Sequence, residues 1–430
     1  MKKTKTLIIT AAAVSMLALA ACTQTAMEDK NVQTTQAQID VQKDRTVNLT
    51  QDASYPESYR QEVLQTIQTV QDDITGESVS YIFITDLHLD TSEDVQTAAY
   101  RQLHAIVDIA NNTDVDFVCV GGDLYNGRDA EENGKQIAMN KIESVSEVLE
   151  ACEKPVFILK GNHDDNSFSA QEDGNLLYDA DYIINREEWY SVTMEYFPQY
   201  AAKYQNGYYY YDLPGKNTRV VCLNMSDSDD TVTDGKQAQM GMYFYGYSDE
   251  QIDWLLNTAM ARQDCNYLFM GHDAFDYPQG YVAGDNRDVL REILTAAYTH
   301  TPFESGAFEK DFSNWNGNVV LYNSGHLHME RAIRDEETGG LPILNTQISM
   351  YSEKSQTWMQ DKGYSAVSGR VKDTASEALF NVVISTGDKI QIVRFGAGED
   401  HNYQTLPNRI KNRQSFNVSD TFEILPGSIY

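Results

Sequence analysis

The ten residues YIFITDLHLD, Tyr81 to Asp90, change character halfway along. The first five are aromatic or β-branched, the make-up of a buried strand. The second half sets two aspartates and a histidine where that strand would end. Downstream, DVQTAAYRQLHAIVDIANN (94–112) has helical spacing, DFVCV (116–120) is a second strand, and NGKQIAMNKIESVSEVLEAC (133–152) is a second helix. PVFILK (155–160) is a third strand. Short apolar strands alternating with amphipathic helices predict βαβ units and a largely parallel sheet covered on both faces.

Outward from this block, Pro56 to Ile74 reads as a helix through Val63, Leu64, Ile67 and Val70. Tyr208 to Met225 reads as a hairpin, SDEQIDWLLNTAMARQ (248–263) as one helix, NYLFM (266–270) as a strand and RDVLREILTAA (287–297) as a helix. NVVLYNSGHLH (318–328) is a strand, and Ala378 to Gly396 a hairpin turning at 386–388. Helical crossovers early and hairpins late predict a mixed sheet, or two sheets packed face to face.

Five predicted strands end in donor residues: ITDLHLD, VGGDLYNG, LKGNHDD, FMGHDAF and NSGHLHME. Open α/β sheets place their sites at such carboxyl ends. Five of the eight histidines fall there, namely His88, His163, His272, His326 and His328, which a random scatter would not produce. His104, His300 and His401 read as structural or surface residues. In extended chain, residues i and i+2 face the same side, so Asp86 and His88 are expected to reach one cation, and His326 with His328 likewise. With Asp123, Asn162 and His272 the donors suffice for two metals. Gly121, Gly122, Gly161, Gly271 and Gly325 adjoin these residues, where the chain must leave its strand with little bulk.

D-x-H, G-D, G-N-H-D, G-H and G-H-x-H, in this order from Asp86 to His328, resemble the calcineurin-like metallophosphoesterase superfamily. The resemblance implies a four-layer α/β/β/α sandwich of two mixed sheets with the site at the sheets' edge. It implies that Asp86, His88 and His328 hold one metal, that Asn162, His272 and His326 hold the other, and that Asp123 bridges them. His163 would face the substrate phosphate, with Asp164 orienting it through a hydrogen bond. Hydrolysis of a phosphate monoester or diester by a metal-bridging hydroxide is the implied activity. Manganese, iron and zinc all suit mixed His, Asp and Asn ligation. Two departures narrow the subfamily. Asn126 and Gly127 stand where the phosphoprotein phosphatases carry Asp and Arg, and Tyr125 falls one residue short of the ligating tyrosine of purple acid phosphatases.

The formal net charge of −31 argues against general binding to nucleic acid or anionic lipid, both of which need basic patches. The N-terminus predicts export. MKKTK is a basic segment, Leu7 to Ala20 an apolar one, and LAAC (19–22) resembles a bacterial lipobox, so residues 1–21 are expected to be a lipoprotein signal peptide and Cys22 the lipidated residue. Residues 22–54, rich in Gln, Thr and Asp, are expected to be a flexible tether. Residues 55–400 would form the phosphoesterase domain and 401–430 an extension packed on it. Cys119, Cys152, Cys222 and Cys265 show no metal-binding spacing, and export would permit a disulfide among them.

The expected function is thus an extracytoplasmic, lipid-anchored di-metal phosphoesterase with a phosphate-ester substrate. Its membrane contact would be through the lipid alone, and no nucleic-acid or protein partner is inferred. A ligand-binding surface lipoprotein without catalysis is the alternative; it predicts loss of a ligand or of His163, and none is lost. Two further stretches bear on substrate. The aromatics from Tyr178 to Tyr211 could stack on a ring or pack the flank of the sandwich. Ser226 to Gly235 is acidic but lacks the glycine and glutamate of a calcium loop, and is expected to be an exposed loop near the site mouth.

Overall fold

The computed structural model describes residues 38–41, 45–50, 55–169, 171–172, 175–200, 204, 206–227, 229–242, 244, 246–275, 286–354, 370–386, 389–397 and 421–424. The expected signal peptide and Cys22 lie outside the described residues. The first predicted block forms as read: β1 (Val79–Ile84), α2 (Glu93–Asn112), β2 (Phe117–Val120), α3 (Gly134–Leu149) and β3 (Val156–Ile158), preceded by α1 (Glu57–Asp73). β1, β2 and β3 pair in parallel. The chain then makes a short α4 (Arg186–Val192), β4 (Tyr209–Asp212) and β5 (Thr218–Cys222), then α5 (Asp249–Trp254), β6 (Asn266–Met270), α6 (Arg287–Thr299) and β7 (Asn318–Ser324). It ends with β8 (Arg331–Asp335), β9 (Leu341–Asn345), β10 (Leu379–Ser385), β11 (Ile390–Gly396) and β12 (Thr421–Ile424).

Two six-stranded sheets result, in the orders β12-β11-β10-β1-β2-β3 and β8-β9-β7-β6-β5-β4. In the first, the parallel strands β1, β2 and β3 form one edge and antiparallel strands complete the sheet beyond β1; in the second, a parallel core of β9, β7, β6 and β5 has an antiparallel strand on each flank. One buried cluster joins Tyr81 and Phe83 of β1 to Cys222 of β5, Leu268 and Met270 of β6 and Leu321 of β7, so the sheets pack face to face. Asn323 donates to the Tyr81 hydroxyl across the gap at 3.3 Å. The alternate residues of the second sheet, Val221, Tyr267, Phe269 and Val319, turn outward against Leu290, Ile293 and Leu294 of α6. That alternation is the period of two that a sheet covered on both faces requires. The spacing of Leu290, Ile293, Leu294 and Ala297 is the matching helical stripe, and each large side chain there contributes about 1.5–3 kcal/mol on burial. α1, α2 and α3 belong to the first sheet and share its core cluster, completing the α/β/β/α sandwich. A buried ion pair also bridges the sheets. Arg394 on β11 donates to both carboxylate oxygens of Glu330, beside β8, and neither side chain reaches solvent.

Three details depart from the sequence reading. The helix expected over 248–263 winds regularly only to Trp254, then widens into a π-helical turn over Leu255–Ala259. Arg219 draws off the Ala259 carbonyl at 2.8 Å, and Lys310 binds those of Leu256 and Met260, so basic side chains take acceptors the helix would otherwise use. The polar segment expected as a tether carries structure toward its end. Gln38–Val41 pairs with Arg45–Asn48, Val47 and Leu49 are buried, and the Asn112 side chain bonds both the N–H and the carbonyl of Asn48 at 2.9 Å. Two apolar residues suffice to dock that stretch on α2. Finally, the strand hairpin Pro302–Ser305 with Phe308–Asp311, and strands β8 and β9, were not anticipated. Cys119, Cys152, Cys222 and Cys265 are free thiols.

Candidate metal centre

Every predicted donor follows a parallel strand. β1 leads to Asp86 and His88, β2 to Asp123, β3 to Asn162 and His163, β6 to His272, and β7 to His326 and His328. The first three strands lie in one sheet and the last two in the other, so the facing carboxyl ends bring all of these residues to one edge. The backbone there is not extended. Asp86, His88, Asp123, His326 and His328 have φ of 56°, 43°, 53°, 65° and 53°, a left-handed conformation that costs about 1–2 kcal/mol at each non-glycine residue. The turns are held by Asp86 N–H to the Gly122 carbonyl and His88 N–H to that of Asp123, both 2.9 Å, and by Met350 N–H to that of Asp86 at 3.0 Å.

This conformation corrects the expectation that His326 and His328 reach one cation. With left-handed turns at both, the rings part and join different clusters: Asp86, His88, Asp123 and His328 in one, Asp123, His272 and His326 in the other. Asp86 and His88 do stay together. Asp123 alone belongs to both, and within each cluster the donor atoms lie within 4.8 Å of one another. Asn162 joins the second, its Oδ1 3.3 Å from His272 Nε2.

The donors fit a cation. His88 Nε2 and His328 Nε2 stand 3.0 Å apart, and Asp86 Oδ1 is 3.2 Å from the latter and 3.6 Å from the former. Asp123 Oδ2 is 3.6 Å from His88 Nε2 and 3.2 Å from His272 Nε2. Asp86 Oδ1 and Asp123 Oδ2 are buried and accept no hydrogen bond among the described residues, although each carboxylate's other oxygen does. Asp86 Oδ2 accepts from the Thr85 hydroxyl at 2.8 Å and from His326 N–H at 3.0 Å, and Asp123 Oδ1 accepts from His163 N–H at 2.9 Å. Buried carboxylate oxygens are not left bare without a charge to face. His328 is the most open of these groups, its side chain 42% exposed, so the site faces solvent on that side.

The titration pattern has the same cause. Burial pushes His88 down to about 4 and His326 to about 3, so both present a neutral ring with a lone pair. Burial also acts downward on His272, but the Asp123 charge outweighs it and raises that ring to about 10. Burial would raise Asp86 and Asp123, yet the surrounding histidines hold both well below the usual carboxylate range. The space beside Asp123 therefore calls for positive charge, which a metal ion supplies in place of the His272 proton.

The supporting residues differ from expectation at Asp164. Its carboxylate does not orient His163. Oδ2 accepts from the N–H of Asp123 at 2.8 Å and of Gly161 at 2.7 Å, and Oδ1 from those of Leu124 at 2.8 Å and Tyr125 at 3.2 Å. Burial and the neighbouring Asp123 charge push this carboxyl up to about 7, against the pull of those donors. His163 is set instead by Nδ1, which bonds the Asn126 carbonyl at 2.7 Å; its ring lies edge-on to His88 at 4.8 Å and in neither cluster. Such an Nδ1–H donor leaves Nε2 to meet a ligand. Close approach explains two of the glycines. A Cβ on Gly161 would come within 2.2 Å of Asp123 Oδ1, and one on Gly325 within 2.1 Å of the Thr85 hydroxyl.

The aromatic stretch packs inward. Trp189, Phe197, Tyr208 and Tyr209 are buried, and the Tyr204 ring packs tilted between those of Tyr190 and Tyr209, with centroids at 4.8 and 5.5 Å. The acidic loop is exposed over 231–236, and its base touches the site loop where the Ser226 hydroxyl donates to the Gly161 carbonyl at 3.3 Å. Sequence reasoning missed Thr85 and Met242. Thr85 sits inside the quoted strand, where nothing marks its hydroxyl as a support, and Met242 arrives from a distant loop.

Among curated proteins no relative matches. Similar solved structures include a dimetal phosphatase from Danio rerio (15% identity, 74% of this chain and 96% of that one, TM-score 0.47). Others are GAP50, the anchor in the inner membrane complex of Plasmodium (15%, 80% and 90%, TM-score 0.37), and a conserved uncharacterized protein, a predicted phosphoesterase, from Streptococcus pneumoniae (11%, 81% and 100%, TM-score 0.28). The sequence profile of the calcineurin-like phosphoesterases matches residues 79–330, from the first residue of β1 to Glu330 just past the last clustered histidine. That span is more than half of the 430 residues and takes in every donor described above, so the chain belongs to the calcineurin-like phosphoesterase family and is a metal-dependent phosphoric ester hydrolase.

Proposed function

We propose that Asp86, His88 and His328 hold one metal and Asn162, His272 and His326 a second, with Asp123 between them, in an exported enzyme that hydrolyses a small or surface-exposed phosphate ester. The observation that carries the metal assignment is the shared Asp123 with its bare, buried Oδ2 facing histidines from both clusters. Cations held by these residues would supply a water of lowered pKa as nucleophile and positive charge for the phosphate oxygens. The chain's own residues do the rest. Thr85 and the His326 N–H fix one oxygen of Asp86 so that the other points at the cluster. His163 is held at Nδ1 by the Asn126 carbonyl, so in the imidazolium form its Nε2–H can hydrogen-bond the phosphate or pass that proton to the leaving alkoxide, which leaves the ring neutral.

A small ester suits the charge of −31 and the acidic loop based on Gly161, which together repel extended polyanions. The inward packing of Trp189, Tyr204 and Tyr209 removes those rings as a stacking wall. Export and a lipid on Cys22 rest on the LAAC sequence and the apolar stretch before it. A Cys22→Ala chain expressed in a bacterial host should no longer incorporate labelled fatty acid.

The test of function is metal content together with hydrolysis of p-nitrophenyl phosphate and bis-p-nitrophenyl phosphate, beside an Asp123→Asn variant. Near two metals per chain, with metal and hydrolysis both failing in the variant, is expected; the better of the two substrates assigns monoesterase or diesterase. A folded chain that takes up no manganese, iron or zinc and cleaves neither ester would refute the proposal in favour of a ligand-binding protein.

A further inference from the structure

Met242 lies far from every motif in sequence, yet its thioether Sδ is 3.2 Å from Asn162 Nδ2. The contact is built from several directions. Gly241 N–H donates to Asp165 Oδ2 at 2.6 Å, and Met242 N–H donates to the Ser167 hydroxyl at 3.2 Å. A Cβ on Gly241 would stand only 2.8 Å from Asp165 Oδ2, so a glycine brings this segment down onto the loop that carries Asn162. Asp165 in turn accepts from Ser167 N–H at 2.9 Å, and its carbonyl accepts from Ile184 N–H at 2.8 Å, which fixes the surface on which Met242 rests.

The chemistry of a carboxamide makes the contact consequential. Its oxygen has lone pairs for a cation, whereas its NH₂ has none, so only one of the two flips can ligate. Here Oδ1 faces His272 Nε2 and Nδ2 faces sulfur, a weak acceptor that cannot donate to Oδ1. We infer that Met242 is a positioning residue for the second metal, its thioether holding Asn162 in the flip that presents oxygen to the cation. This deepens the metal assignment above and rests on it. The residue touches no reacting atom. Its part is to remove the competing amide orientation, as outer partners do for other metal ligands.

The test is manganese binding to the full chain by equilibrium dialysis with element analysis, for the wild type, Met242→Leu, Asn162→Asp and the double variant. Leucine keeps the bulk and removes the acceptor; aspartate at 162 presents an oxygen in either flip, so no orientation is left for Met242 to set. Met242→Leu should weaken one of the two manganese ions about tenfold, with the other ion unchanged and the thermal melt close to wild type. In the Asn162→Asp background the same change should alter neither affinity by more than about twofold. Equal binding by wild type and leucine variant would overturn the inference while leaving the di-metal proposal standing. Equal loss in both backgrounds would assign the contact to packing alone and overturn it too. A wild-type chain that binds no manganese would overturn the metal assignment itself, and the inference with it.

Discussion

Gly161→Ala is the sharpest probe of how the site is built, because the change is one methyl group. A Cβ there would stand 2.2 Å from Asp123 Oδ1 and 2.3 Å from the Asp123 amide nitrogen, where ordinary contact begins at 3.4 Å. About 1.2 Å must be made up, and the obstacle on one side is main chain. Asp123 cannot retreat freely, since its N–H is held by Asp164 Oδ2 at 2.8 Å and its Oδ1 by His163 N–H at 2.9 Å. Relief must therefore move the proposed bridging carboxylate relative to both histidine clusters. Overpacking of this kind costs about 1–3 kcal/mol of stability, and a shift of about 1 Å at a reacting centre costs about a hundredfold in rate. The variant should fold, with kcat on p-nitrophenyl phosphate down about a hundredfold and the retained manganese below two per chain. Gly76→Ala is the control, as nothing among the described residues lies within 4 Å of its new Cβ. Wild-type turnover and metal content in Gly161→Ala, with a normal melt, would refute the reasoning that this contact sets Asp123.

Two more outcomes follow from buried charge. Glu330→Gln should lower the unfolding free energy by about 3–5 kcal/mol in urea titration, because Arg394 is left charged and sealed between the sheets; replacing both residues by methionine should recover most of the loss, and an equally unstable double variant would contradict this account. Metal-free protein should respond to pH on both sides. His88 and His326 are lowered, so their contribution is present above the ordinary histidine value near 6.5 and is lost as pH falls toward about 4 and 3. His272 is raised, so its contribution is complete below about 6.5 and lost as pH rises toward about 10; metal uptake at pH 8 should release close to one proton from it in buffer-dependent calorimetry, and no release would contradict the His272 assignment.

Much of the centre was legible because strand ends carry an unusual density of donors. Asp86, His88, Asp123, His272, His326 and His328 are brought together as their positions after apolar strands implied. What failed was geometry that no pattern carries. The period of two assumes extended chain, and four left-handed residues, Asp86, His88, His326 and His328, set aside that assumption at the very positions where it was applied. Asp164 stands next to His163 in sequence, yet four backbone N–H groups capture it, a choice made by the folded loop rather than by adjacency. In the fold, β10 and β11 announced themselves as apolar alternations. β8, and the hairpin through Glu304 and Glu309, carry charges that mask a strand pattern, and the π-helical turn after Trp254 depends on Arg219 and Lys310 reaching in from other elements.

The division of donors between two sheets has a consequence for the order of events when the protein is made. Residues up to His163 come from the first sheet's β1 to β3, while His272, His326 and His328 are synthesised more than a hundred residues later. The first proposed set lacks His328 until then, and the second lacks His272 and His326. On this assignment the second set is incomplete in a growing chain that has not passed residue 326 and the first until it has passed residue 328, and both need the second sheet folded against the first. On that assignment metal capture would be a late event that reports a finished sandwich, and each cation would act as a clasp between two sheets that share no strand pairing among the described residues.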